Sequence, residues 1–163
     1  NTFSVDPILL SHKNIKKLQD SILFCYTGLS RDSDKVAKKQ IENIPNKKIE
    51  LQNMRSISEE AIKIFKNKKI NIREFGRLLH EQWVLKKHLN STSTNSQINR
   101  IYNKAIEFGA YGGKVCGAGA GGFLLLIAPK YRHEIIKKKL NKYLFVPIRF
   151  ENTGSKIVYF SHS

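Results

Sequence analysis

The chain has 163 residues, enough for one compact domain with its own core, and a 40% hydrophobic content with mean hydropathy of −0.38 is ordinary for a soluble globular protein. No apolar run approaches the eighteen or more residues of a membrane helix, so no helical bilayer span is expected. The net charge of +16 is the footprint of many nucleic-acid binders, but the lysines are scattered, which favours solvated surface and a field that attracts small anions.

In chain order, Ser21 to Tyr26 reads as a strand ended by Thr27-Gly28. Asp32 or Ser33 caps a helix carrying Val36, Ala37, Ile41 and Ile44, which Pro45 stops. Leu51, Met54, Ile57, Ala61, Ile64 and Phe65 predict a longer helix by their three- and four-residue steps. Asn71 with Glu74 resembles a capping box opening a helix with Ile72, Phe75, Leu78, Leu79 and Trp83. The polar stretch Asn90 to Ser96 supplies the cap of a helix from Gln97 to Phe108, with Gly109 as its stop. A glycine-rich loop, a strand from Phe123 to Ala128 and a basic helix from Tyr131 to Tyr143 follow. Phe145 to Glu151 and Lys156 to Phe160 predict a closing hairpin around Asn152 to Ser155. Strands at both ends with helices between imply an α+β layer, a small antiparallel sheet with helices stacked on one face.

Seven of the ten glycines lie between Gly109 and Gly122. Glycine loses the most freedom on folding, so such density implies that the backbone itself has a role, either positive φ or close approach of main-chain N–H groups to a ligand. N–H groups turned the same way form an anion site, usually for phosphate. Gly117, Gly119 and Gly122 satisfy G-x-G-x-x-G, but the loop precedes a strand instead of opening a helix, and no acidic residue stands about twenty positions on. Gly113-Lys114 is followed by Val115, not Ser or Thr, so the P-loop pattern fails as well. No H-R-D or D-F-G of a protein kinase occurs. A loop whose glycines only permit tight packing is the competing reading.

The wider stretch Gly112-Gly-Lys-Val-Cys-Gly-Ala-Gly-Ala-Gly-Gly-Phe-Leu-Leu126 resembles the third motif of the GHMP small-molecule kinases. Phe24 to Ser33, Trp83 to Leu89 with the following Asn-Ser, Gly109 to Lys114 and Phe150 to Ser155 are similar to the branch acting on D-glycero-D-manno-heptose 7-phosphate. The resemblance implies the ferredoxin-like C-terminal domain of that superfamily, spanning residues 1–163 as a single unit. The family's main phosphate loop and catalytic acid belong to an N-terminal ATP-binding domain, and neither pattern occurs here. The chain, which starts at Asn1, therefore reads as part of a longer kinase, inactive alone.

From the same resemblance, the backbone of Gly117, Ala118, Gly119, Ala120, Gly121 and Gly122 is expected to flank nucleotide phosphates. Arg31, after the Thr-Gly turn, suits a two-pronged grip on a sugar phosphate, against a surface pair with Asp32 or Asp34. Lys86 and Lys114 are further substrate-binding candidates, against snorkelling or merely solubilising lysines. No catalytic residue or metal ligand is assigned: His80 and His88 stand eight residues apart, too far to chelate one ion. The implied cofactors are ATP and Mg²⁺, and the implied partners are a sugar phosphate and the N-terminal kinase domain, with no membrane and no specific nucleic acid. Cys25 and Cys116 lack C-x-x-C spacing and fit reduced packing residues in the cytoplasm. Another GHMP substrate (galactose, mevalonate or homoserine) and a basic nucleic-acid-binding α+β domain are the alternatives. The second is disfavoured by the uncharged strand Phe123 to Ala128, because an RNA-recognition sheet interleaves basic and aromatic residues.

Overall fold

A computed structural model describes residues 7–30, 33–151, 153–157 and 159. The elements are α1 (His12–Gln19), β1 (Ile22–Tyr26), α2 (Ser33–Asn43), α3 (Lys48–Lys66), α4 (Ile72–Leu89), α5 (Ser96–Glu107), β2 (Gly112–Val115), β3 (Phe123–Ile127), α6 (His133–Lys139) and β4 (Leu144–Val146). Single 3₁₀ turns occupy Ile44–Asn46, Ser91–Ser93 and Lys130–Arg132. The sheet order is β2-β3-β1-β4, with every neighbouring pair antiparallel. With helices between β1 and β2 and between β3 and β4, this is the split β-α-β arrangement of ferredoxin-like domains. The α+β expectation is met.

Strand alternation sends Leu23, Cys25, Leu124, Leu126 and Val115 to one face, against Ile98, Ile101 and Ala105 of α5 and Ile136 of α6. On the other face, Ile22, Leu125 and Ile127 join Leu18, Ile64, Ile70 and Leu78 in a second cluster. Helix α4 serves both clusters, placing Leu78 in one and Trp83 in the other while lying against the edge strand β2. Covering that edge removes a row of unpaired backbone groups from solvent.

Local signals explain most helix ends. Asn71 Oδ1 accepts the Glu74 N–H at 3.2 Å, but the Glu74 carboxylate turns to Arg77 instead of returning to the Asn71 N–H, so only half of the capping box forms. Asn95 caps α5 through the Ile98 N–H at 3.0 Å. Gly109, at φ +105°, ends α5 with the paired bonds Ala110 N–H to Ala105 O and Gly109 N–H to Ile106 O, a Schellman stop.

Three expectations need correction. Helices cover both faces of the sheet, not one: α5 and α6 pack on the first, and α1, α3 and α4 on the second. The basic helix expected over Tyr131 to Tyr143 is shorter, a 3₁₀ turn followed by seven α-helical residues, because the chain must turn back at Leu140 to form β4. Among the described residues the closing hairpin is not found: no strand follows Val146, and β4 pairs with β1, while Asn152, Val158 and Phe160 lie outside the described residues. Pro147 lacks a backbone donor, which explains the early end. Asp32, offered as a cap, lies outside the described residues, and Ser33 is the first residue of α2.

Gly112 and Gly76 carry the α4–β2 contact. A Cβ on Gly112 would overlap the Gly76 carbonyl, a backbone group that no side-chain rotation can clear. Gly112→Ala is expected to cost about 3 kcal/mol, the upper range for overpacking. Urea unfolding monitored by circular dichroism checks this; an unchanged midpoint would mean that α4 moves away freely.

Candidate functional site

The glycine-rich loop is the connection from β2 to β3, residues 116–122. Gly117, Gly119 and Gly122 have φ of +70°, +110° and +75°, and Ala120 joins them at +65°. An alanine in this region is strained. It is held there because its N–H donates to Ser93 O at 2.6 Å and its carbonyl accepts Asn95 Nδ2 at 3.1 Å.

The glycines divide by what surrounds them. A Cβ on Gly119 would stand 2.5 Å from Ser93 O, so this residue is small because the loop presses on the Ser91–Ser93 turn. A Cβ on Gly117 or Gly122 would meet nothing within 4 Å. There, positive φ explains the residue, and the space above it is open.

The N–H groups divide in the same way. Those of Ala120 and Gly122 donate inward, to Ser93 O and to Leu29 O at 2.8 Å. Those of Gly117, Ala118, Gly119 and Gly121 donate to no carbonyl among the described residues. Four main-chain donors without a carbonyl partner in one tight turn are what an anion nest requires.

The loop is anchored from the strand side as well. Gly122 O accepts both the Thr27 N–H (2.9 Å) and the Thr27 hydroxyl (2.8 Å), and Gln97 Nε2 donates to Thr27 O at 2.8 Å. The N-terminus of α5, capped by Asn95, is thereby set beside the loop, adding its positive dipole end to the site.

Two lysines complete the arrangement. Lys86, on α4, is 8% exposed, and its Nζ donates to Gly117 O at 2.5 Å. Burial pushes its ammonium below the ordinary lysine value, and the neighbouring charge of Lys114 lowers it further. Neither lysine pairs with a carboxylate among the described residues. A buried cation without a counter-charge is costly unless something else supplies negative charge. Cys116 lies between them: burial raises its thiol, while Lys114 and Lys86 pull the other way.

The structure therefore brings Lys86, Lys114 and the six loop residues together. Lys86 shares the buried face of α4 with Trp83, and the neighbouring Lys87 Nζ stands 6.0 Å from the centroid of the Trp83 ring. Arg31 lies outside the described residues. Thr27, Ser93, Asn95 and Gln97 are loop supports that sequence reasoning misses. In sequence, Thr27 reads only as a strand end, and Asn95 only as a helix cap. Among the described residues, no group of three His, Cys, Asp or Glu side chains is placed to hold a metal. The donors beside the loop are ammonium and N–H groups, whereas Mg²⁺ takes oxygen ligands, so this side of the site suits phosphate and not the metal. No helix among the described residues is long and apolar enough to cross a membrane.

The sheet order makes this a ferredoxin-like α+β domain with a glycine-rich loop between β2 and β3. The chain belongs to the family described as GHMP kinases C terminal, whose model matches residues 59–145, more than half of its length. It is 29% identical over 137 residues to D-glycero-alpha-D-manno-heptose 7-phosphate kinase of Campylobacter jejuni, covering 82% of this chain and 40% of that protein. The mevalonate kinase of Methanococcus jannaschii superposes with a TM-score of 0.67 at 23% identity, over 82% of this chain and 41% of the other. A putative sugar kinase of Campylobacter jejuni superposes at 0.55 with 21% identity, over 91% and 42%. These two structures share the fold. The chain spans about two fifths of the length of each relative.

Proposed function

We propose that this chain is the C-terminal domain of an ATP-dependent sugar kinase acting on a phosphorylated heptose, D-glycero-D-manno-heptose 7-phosphate in particular. The observation that carries the proposal is the loop 117–122, with four uncommitted N–H groups flanked by Lys86 and Lys114, neither with a carboxylate partner among the described residues. Phosphoryl transfer depends on positioning and on neutralising oxygen charge, and main-chain donors with two ammonium groups supply both from one side. Lys86 sets the loop conformation through Gly117 O, and Lys114 adds charge next to it. The attacking hydroxyl, its base and Mg²⁺ are assigned to the N-terminal domain, and Arg31 is proposed to grip the sugar phosphate.

The heptose is favoured over mevalonate because the heptose kinase relation rests on sequence across most of the chain, while the mevalonate kinase likeness is one of fold. In this reading the protein works in the cytoplasm with its two cysteines as free thiols.

The chain alone is expected to be inactive, because positioning from one side does not replace the other domain. The test compares it with a longer protein carrying the N-terminal domain, using ATP and heptose 7-phosphate, mevalonate or galactose, with phosphorus NMR as the readout. Transfer to the heptose anomeric hydroxyl by the longer protein alone is the expected result. Transfer only to mevalonate or galactose overturns the substrate, and turnover by the chain alone overturns the division of labour.

The +16 charge leads to a separate expectation. Labelled DNA should bind weakly and without sequence preference, losing at least tenfold in affinity between low and physiological salt as counterions are released. A fluorescence anisotropy titration at two salt concentrations checks it. Tight, sequence-selective binding at physiological salt would favour the nucleic-acid alternative.

A further inference from the structure

We propose that the cavity between α1, the start of α4 and the end of β3 is a second anion site, fitted to a small diphosphate-type anion. It encloses about 550 Å³, within the usual range for small-molecule sites. It is distinct from the glycine-rich loop. Ser21 precedes β1 and Pro129 follows β3, so the cavity sits at the end of the sheet opposite the β2–β3 hairpin, roughly 15 Å away along a five-residue strand.

Its lining is unbalanced in charge: Lys13, Lys16, Lys17, Arg73 and Lys130 face one carboxylate, Asp20. Asp20 is already engaged, at 3.2 Å from Lys16 and 3.8 Å from Lys130. Lys17 is pinned by donating to Ile70 O at 2.7 Å, which leaves its ammonium two further donors. Lys13 and Arg73 pair with no carboxylate among the described residues.

The backbone adds to this charge. Asn71, Ile72 and Arg73 line the cavity at the N-terminus of the 18-residue helix α4. Asn71 satisfies the Glu74 N–H through its side chain and the Phe75 N–H through its carbonyl. The Ile72 and Arg73 N–H groups find no acceptor among the described residues, so a positive dipole end opens into a cation-lined cavity. Tyr111 lies on the wall, with its phenol hydrogen-bonded to Tyr131. A planar guanidinium, ammonium groups and helix N–H donors converging in one concavity suit an anion with several oxygens and more than one charge. The concave, small volume favours a compact anion over a polymer. This site stands whether or not the kinase reading holds.

The test is calorimetric titration of the chain with inorganic pyrophosphate, and with sulfate at matched ionic strength. The variants are Arg73→Gln and Lys13→Gln, with Lys48→Gln, at an exposed lysine outside both sites, as the charge control. Arg73 and Lys13 are exposed, so their replacement leaves the fold intact. Amide NMR alongside the calorimetry separates this cavity from the glycine-rich loop, which has its own claim on phosphate. Pyrophosphate should shift the Ile72 and Arg73 amides, bind at least tenfold more tightly than sulfate there, weaken at least tenfold with Arg73→Gln and severalfold with Lys13→Gln, and be unchanged by Lys48→Gln. Absence of binding, equal affinity for the two anions, shifts confined to the glycine-rich loop, or an equal loss with Lys48→Gln would overturn the proposal. So would a DNA oligonucleotide that displaces pyrophosphate and depends on Arg73 and Lys13 more strongly than it does.

Discussion

Gly119→Val, made in a longer kinase carrying the N-terminal domain, should lose both stability and turnover. Gly119 has φ of +110°, where a β-branched residue is strained, and a Cβ there meets Ser93 O at 2.5 Å and Ser93 Cα at 2.9 Å. Both obstacles are backbone atoms, so the loop must move away from the Ser91–Ser93 turn. That movement breaks the Ala120 N–H bond to Ser93 O and releases the nest. Strain and overpacking together should cost about 4 kcal/mol, and turnover should fall at least a hundredfold. Gly117→Ala is the matching control. Its Cβ meets nothing within 4 Å, so its own cost is about 1 kcal/mol of backbone strain. A tenfold or larger loss of turnover in this well-folded variant comes from the ligand side, because the protein leaves that space open. Urea unfolding and steady-state kinetics on both variants decide between a packing turn and a phosphate cradle. Normal kinetics in Gly117→Ala would leave the packing turn as the better description.

Lys86→Met in the same protein should separate function from stability more sharply. Methionine keeps much of the buried stem and removes the charge. The variant loses the bond to Gly117 O but also escapes the burial that depresses the Lys86 ammonium. These effects oppose each other, so stability should change by no more than about 1 kcal/mol. Turnover should fall by about 10²–10³, the range for removing one preorganised group that stabilises transition-state charge. A structural lysine would give the reverse: a clear stability loss, with kinetics restored once the folded fraction is corrected for.

The fold is legible in the sequence where side chains repeat with a period, and hidden where glycine removes the side chains. The apolar steps of α3 to α5 and the run Phe123–Ile127 mark those elements directly. Strand β2 escapes a sequence reading because Gly112-Gly-Lys-Val carries too little alternation to signal a strand; only pairing with β3 reveals it. Helix α1 escapes too, because its eight residues hold only Ile15 and Leu18 as apolar positions. The C-terminal hairpin is the opposite error: Phe145 to Glu151 has strand-like composition, but Pro147 interrupts it and β1 already offers β4 a partner. In the site, the density of glycines points to the loop, but not to the different reasons for them, close contact at Gly119 and open space at Gly117 and Gly122. Lys86 is set apart from Lys87 in sequence only by standing three residues after Trp83, on the same helix face. In the structure that face is buried and Lys86 reaches Gly117 O, while Lys87 stands near the Trp83 ring. The partner at the far end of Lys86 depends on where α4 crosses β2, which no local pattern encodes.

The most direct test of the phosphate-cradle assignment is an amide NMR titration of the protein with ATP, followed residue by residue. The largest shifts are expected at Gly117, Ala118, Gly119 and Gly121, whose N–H groups donate to no carbonyl among the described residues, with a smaller response at Lys114. The inward-bonded Ala120 and Gly122 amides should move less. Loop amides that stay unmoved at saturating ATP, while shifts gather elsewhere, would contradict the assignment.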